Sequence, residues 1–386
     1  MMKVLKYLFI TVLILTVAAV IGFYHVIGQL DMGGGPKYRQ TSQGLTDKEK
    51  RKMNNTKLTQ LQAHLDFQCQ HEERPERSQE VQQLYDYALY YDLHNMWTGK
   101  KGDEVWNGLA RFYRIAALNG DYKANLRLQY LLKSGRISSQ FPQSEVHSLN
   151  EHFAQQLPAT AYYKLYSYLD IGYGVRTEKD GKYAYLRKAA DLGSREAQYA
   201  IAEILGDIDD KETLEMRLKI TEQLYACASE QGLGSASDYL GLRYEGRKEY
   251  TNALRAFHQG VKNGSSISAT ILVEIFKKES KEDYLTNLKL ELDSERSQRY
   301  EIIWRYLSYN DYLHPTVPDL DEIIPLPPAP LPEWGGKIAF QRWYEGEAPP
   351  RPSEALMYHL ARQAGLDPDT GFDEATGLPK EVKKKK

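Results

Sequence analysis

YAYLRKAADLGSREAQYA, running from Tyr183 to Ala200, is the stretch that decides the fold. Tyr183, Leu186, Ala189 and Ala190 fall at helical spacing, Gly193 interrupts them, and small residues resume at Ala197 and Ala200. This is the pattern of two helices packed across a tight turn. Alanines at the crossing let antiparallel backbones approach closely. A glycine just past a helix end takes the left-handed conformation without steric cost.

The phrase recurs with drifting sequence. Tyr113 to Gly120 reads YRIAALNG and leads into Lys123, Ala124 and Asn125; Tyr225 to Gly232 reads YACASEQG and leads into Ala236; Phe257 to Gly264 reads FHQGVKNG and leads into Ala269. The closing glycines Gly120, Gly193, Gly232 and Gly264 stand about 73, 39 and 32 residues apart. The first gap is roughly twice a mid-thirties repeat, which predicts a degenerate unit inside it. Stacked units of this kind build a curved all-α solenoid of antiparallel helix pairs, an architecture that presents extended surface to other proteins.

Ala161 to Gly193 carries Gly172, Tyr173, Gly174 and Val175, then Tyr183, Ala184, Tyr185, Arg187, Ala189, Ala190 and Gly193. In these residues the chain resembles the Sel-one-like repeats, relatives of the tetratricopeptide repeat. The resemblance implies a right-handed solenoid used for protein binding.

Upstream, Tyr7 to Tyr24 is an uncharged apolar run preceded by Lys3 and Lys6. About 20 apolar residues cross a hydrocarbon core. Positive charge before the run predicts a cytoplasmic N-terminus and an external body; for a bacterial chain that is a single-pass inner-membrane protein with its body in the periplasm. A cleaved signal peptide is the competing reading; bulky Phe23, Tyr24 and His25 favour an uncleaved anchor. Residues 1–30 are thus the anchor and 31–60 a flexible linker, rich in glycine at Gly33 to Gly35 and in charge from Lys48 to Lys52. Residues 61–312 make the solenoid, 313–345 a proline-rich cap, and 346–386 a short helix with a basic tail, Lys383 to Lys386.

A net charge of -2 over 386 residues gives no electrostatic footprint for nucleic acid. Tyrosine outnumbers phenylalanine 29 to 10, and Tyr85, Tyr87, Tyr90 and Tyr91, then Tyr162, Tyr163, Tyr166 and Tyr168, cover too much helix circumference all to be core. Some could line a binding surface, where tyrosine is favoured. Cys69 and Cys227 form either a disulfide, as export would permit, or two buried thiols.

Past the last repeat, Tyr284 to Tyr306 reads as a final long helix, with Leu285, Leu288, Leu292, Tyr300, Ile303 and Leu307 at helical spacing. Its charged centre, Asp293 to Arg296 with Arg299, reads as a solvated face. Prolines then take over at Pro315, Pro318, Pro325, Pro327, Pro328, Pro330 and Pro332, before Trp334. Proline fixes one torsion and removes a donor, so this stretch is extended or turned; Leu326, Leu331 and Trp334 predict that it lies along the solenoid and caps its end. Ser353 and Gly365 bracket a short helix as N-cap and stop.

Asp293 to Arg296, Arg299-Tyr300, Pro318 to Asp321, and Pro325 to Gly335 with Trp334 together resemble a bacterial domain of unknown function that follows Sel-one-like repeats. Such proteins are similar to immunity partners of type VI secretion phospholipase effectors of the phospholipase D class. That resemblance implies a non-catalytic protein whose partner is a cognate phospholipase.

The residues themselves supply no catalytic set. His71-Glu72-Glu73 begins like a zinc helix but lacks the second histidine a turn later, and Gly232-Leu233-Gly234 opens like a dinucleotide loop but lacks the third glycine. No cofactor or metal is expected. The contact candidates are Tyr173 and Arg176 on a repeat loop and Trp334 in the proline motif. An envelope scaffold that organises other membrane proteins is the alternative role.

Overall fold

A computed structural model describes residues 67–211, 213–277 and 290–381, with positions 46, 48, 49, 52 and 288. The expected anchor, most of the linker and the lysine run Lys383 to Lys386 lie outside the described residues. Among the described residues no helix is long and apolar enough to cross a membrane.

Helices pack in pairs: α1 Gln79–Asn95 with α2 Glu104–Leu118, α3 Tyr122–Lys133 with α4 Pro142–Phe153, α5 Pro158–Ile171 with α6 Lys182–Asp191, and α7 Arg195–Gly206 with α8 Leu214–Glu230. The pairs α9 Gly234–Gly246 with α10 Tyr250–Lys262 and α11 Ser266–Lys277 with α12 Ser294–Tyr309 complete the stack. Each helix packs on the next, and α5 touches α7 as α9 touches α11. All four closing glycines adopt positive φ, 95°, 102°, 94° and 89° at Gly120, Gly193, Gly232 and Gly264. The degenerate unit in the first gap is α3 with α4, whose closing turn passes through Gln156 and Leu157 where the other units have glycine.

Each joint between pairs is sealed by alanines and by a buried polar contact. Asp92 of α1, fully buried, accepts from Trp106 Nε1 at 2.9 Å, from the Tyr113 hydroxyl at 2.8 Å and from Arg127 Nε at 2.6 Å, tying three helices to one carboxylate. Asp238 on α9 accepts from the hydroxyls of Ser265 and Ser268, and burial raises its pKa from the ordinary aspartate value.

Residues 67–78 form no helix, although the solenoid was expected from residue 61. They run across the pairs as an extended strap. Cys69 is disulfide-bonded to Cys227 of α8, and Gln70 carbonyl accepts from Gln198 Nε2 at 2.9 Å. Glu72 accepts from Ala159 N at 2.6 Å and Thr160 N at 3.1 Å, so it caps α5, whose own N-cap Leu157 has no acceptor side chain. Further along, Arg77 donates to Asp121, the N-cap of α3, at 2.8 Å. A Cβ on Gly193 would stand 2.6 Å from Glu72 N, so the repeat glycine also makes room for the strap.

The last helix differs from its expected extent. Asp293 accepts from Arg296 N and starts α12 at Ser294; Leu288 is buried outside it, Leu292 is exposed, and Leu285 lies outside the described residues. An N-cap aspartate thus overrides the leucine spacing before it.

Candidate partner-binding surface

The charged centre of α12 is not a solvated face. Arg296 and Arg299 are 7% and 9% exposed. Arg299 donates to Ile323 carbonyl and to Pro332 carbonyl, both at 2.7 Å; Arg296 donates to Ala329 carbonyl, to Pro325 carbonyl at 3.3 Å, and to Asp293. Prolines leave their neighbours' carbonyls without a regular ladder, and the planar guanidinium, with five donors, collects several at once. Val317 and Ile324, with Leu320 and Ile323 of short helix α13 Leu320–Ile323, then fill the end of the last core. The proline-rich segment therefore lies on the solenoid's end.

From there the chain crosses back to its beginning. On α14 Ala339–Tyr344, Tyr344 stacks on His94 of α1 at 4.1 Å, Trp343 meets Tyr90 edge-on, and the Tyr90 hydroxyl donates to Gly346 carbonyl at 3.1 Å. Helix α15 Glu354–Ala364, capped by Ser353 and ended by Gly365 with positive φ, inserts Met357, Leu360 and Ala361 into the first core. Residues beyond it continue over α2 and α4, where Arg114 donates to Thr370 carbonyl at 3.1 Å and Ser148 to Lys380 carbonyl. A cavity of about 620 Å³ opens where this tail meets the first pair, lined by Tyr87, Tyr91, Arg111, Phe112, Arg351 and Phe372.

The three contact candidates fall in different places. Tyr173 packs on the first core: its carbonyl accepts from His147 Nε2 at 2.7 Å and its ring lies 5.7 Å from that of Tyr168. Arg176 is exposed on the α5–α6 loop. Trp334 packs against the last core, donating Nε1 to Lys337 carbonyl at 3.1 Å with Arg299 5.9 Å over its ring. Tyr173 thus braces a loop midway along the stack and Trp334 packs at its last pair, while Arg176 faces solvent.

Tyrosines also run through the middle of the stack, most of them packed on its core. Tyr163, Tyr166 and Tyr183 form one chain of rings, and Tyr199, Tyr225 and Tyr239 another, spanning α5 to α9. The hydroxyl pKa values of Tyr166, Tyr199 and Tyr225 are raised, first by burial and then by neighbouring carboxylates and tyrosines, as their packing on the core requires. Sequence reasoning missed Arg296 and Arg299, although the prolines downstream, with their carbonyls to be satisfied, were the available signal.

Two features resemble sites elsewhere. Asp321, His258 and Tyr300 form a relay, with 2.8 Å from His258 Nε2 to Asp321 and 2.8 Å from Nδ1 to the Tyr300 hydroxyl, but Tyr300 is fully buried and out of reach of a substrate. Cys69, His71 and Cys227 lie together, with both sulfurs in the disulfide.

Residues 268–374 match a family model described as a domain of unknown function, DUF6396. The match runs from α11 through the proline segment and α15 into the tail, so it covers the stretch that joins the last pair to the first. No curated protein matches the chain. Among solved structures, the immunity protein PA5088 from Pseudomonas aeruginosa is 19% identical, with 68% of this chain and 95% of that one covered, at a TM-score of 0.50. The immunity protein Pa5087 from the same organism is 21% identical over 69% of this chain and 96% of its own, at a TM-score of 0.48. A Sel1 repeat protein from Oxalobacter formigenes is 18% identical over 85% and 92%, at a TM-score of 0.32. The likeness to PA5088 establishes a shared helical-repeat fold.

Proposed function

We propose that this chain is a non-catalytic protein-binding solenoid that acts as an immunity protein, neutralising a phospholipase effector of type VI secretion from a membrane-anchored position in the periplasm. The observation that carries the reading is a braced scaffold of helix pairs that leaves Tyr91, Tyr239 and Tyr309 exposed on three different helices for a partner. Its fold is shared with PA5088, an immunity protein. The DUF6396 match covers the proline-tryptophan motif through which the sequence resembles immunity partners. Anchoring would hold the inhibitor in the leaflet the effector attacks and raise its effective concentration there.

The test is a pull-down of the full chain against the product of any neighbouring lipase-like gene, with lipase turnover measured with and without the chain. Binding with loss of turnover supports the reading. Binding without inhibition, or no binding, rejects it in favour of an envelope scaffold. Alkaline phosphatase fused after Gly35 tests the exported body, and an inactive fusion rejects it.

A further inference from the structure

The rings of Tyr199 on α7, Tyr225 on α8 and Tyr239 on α9 make one layer. Tyr225 and Tyr239 stack at 5.0 Å with 3° between planes, and Tyr199 lies 5.6 Å from the first and 6.1 Å from the second. Tyr225 is buried beneath, whereas Tyr239 is 43% exposed and Leu242, one turn on, is 44% exposed. Tyr239 therefore presents an open aromatic surface held flat by the ring under it.

The charges around this layer are mostly acidic. Tyr199 hydroxyl donates to Glu203 Oε1 at 3.0 Å, and Asp207 and Asp209 are exposed where α7 ends. Burial first, and Glu203 next, raises the Tyr199 and Tyr239 hydroxyl pKa values, so that carboxylate faces both rings. Of the nearby cations, Arg243 is engaged with Glu222 at 3.7 Å and Leu218 carbonyl at 3.3 Å, and Lys211 sits on the loop beyond.

We infer that the Tyr199–Tyr225–Tyr239 layer with Glu203 and Asp207 is a docking surface for a basic, arginine-bearing face of the partner protein. Guanidinium is the group that fits both halves. Its plane stacks on an exposed tyrosine, its N–H groups pair with carboxylates, and its weak hydration makes both contacts cheap to form. Tyrosine on a rigid helix loses little side-chain freedom on binding, and opposite charge across the interface speeds encounter. The inference deepens the immunity reading and rests on it for the partner's identity.

Its test does not need that partner. The full chain in detergent is titrated with nona-arginine and, separately, nona-glutamate, by calorimetry and by hydrogen exchange. Nona-arginine should bind and slow exchange within 199–207 and 235–243, and nona-glutamate should not bind. Glu203→Lys with Asp207→Lys, and separately Tyr239→Ala, should each weaken nona-arginine at least tenfold, while Tyr309→Ala, on the 73% exposed tyrosine of α12, leaves it unchanged. Circular dichroism checks the fold of each variant, and the charge-reversed variant decides if Tyr239→Ala unfolds. Equal affinity in the reversed variant, protection elsewhere, or binding of both peptides overturns the inference. With a neighbouring lipase as ligand, the same variants should lose at least tenfold. A lipase that fails to bind the unaltered chain sinks the immunity reading alone, because the nona-arginine result still decides this one.

Discussion

At the last pair, α12 receives the proline-rich segment through two buried arginines that reach backbone carbonyls; at the first pair, α2 receives α15 through Met357, Leu360 and Ala361. One end is closed by polar groups that satisfy an irregular backbone and the other by apolar side chains that finish a core. The contrast follows from what each end must cover. Proline-rich chain brings carbonyls needing donors, whereas the exposed side of α2 offers an unfinished apolar face, and each closure supplies what its end lacks. Tyr344 on His94 and Trp343 by Tyr90 join the two closures, so 313–381 acts as a clasp between solenoid ends.

Removing the chain from Glu354 onward should have the largest effect. It uncovers the contacts of Met357, Leu360, Ala361 and Leu366, all buried. At 1.5 to 3 kcal/mol for each large apolar side chain, discounted for a compact unfolded state, the expected loss is on the order of 5 kcal/mol. Urea unfolding of the truncated chain measures it, and a loss below about 1 kcal/mol would show that the apolar closure is ornamental.

Arg299→Ala should come next. It leaves the Ile323 and Pro332 carbonyls without their donor, at a cost of about 3 kcal/mol. Arg299→Lys should recover little, because one ammonium does not span both carbonyls. Arg305, paired with Glu301 at 2.7 Å on the same helix but 60% exposed, is the control, and its loss should cost about 0.5 kcal/mol or less. Similar losses at both arginines would erase the polar closure. Trp334→Ala should cost about 2 kcal/mol through lost packing on the last core, measured the same way. Unchanged stability would return Trp334 to the contact candidates.

Much of this was legible in the sequence where structure is local. Ala189-Ala190-Gly193 and its three copies specify helix, turn and helix at the joint between successive pairs, and Ser353 with Gly365 brackets α15 by capping alone. Residues whose partners lie far along the chain were not legible. Glu72 looked like a fragment of a metal motif and serves as the cap of α5. Arg296 and Arg299 have the spacing of a surface helix, and their burial depends on carbonyls some 24 to 33 positions away. Tyr173 and Trp334 stood out as aromatic residues at loops, yet an aromatic at a loop can brace it as readily as it can present a surface. Periodicity reports which side of a helix is apolar, not what later sequence lies on it.

Each closure also carries a histidine at least half shielded from water, which permits a finer comparison by pH. His258, 4% exposed between Tyr300 and Asp321, has its pKa lowered from the ordinary 6.5, first by burial and then by Lys262, against the pull of Asp321. His152 on α4, half-buried near the tail, is lowered by burial and by Lys380. In both cases the unfolded chain binds the proton more readily than the folded one. Their contribution is therefore fully present above the unfolded value of 6.5 and is lost as pH falls below it toward the folded values. Thermal midpoints at about pH 7.5 and pH 5.5 should show the unaltered chain less stable in acid. His258→Gln should shrink that difference by a few degrees and His152→Gln by less, because His258 is the more enclosed. A larger change from His152→Gln would mean that the apolar closure, not the arginine-bearing one, is the acid-sensitive end.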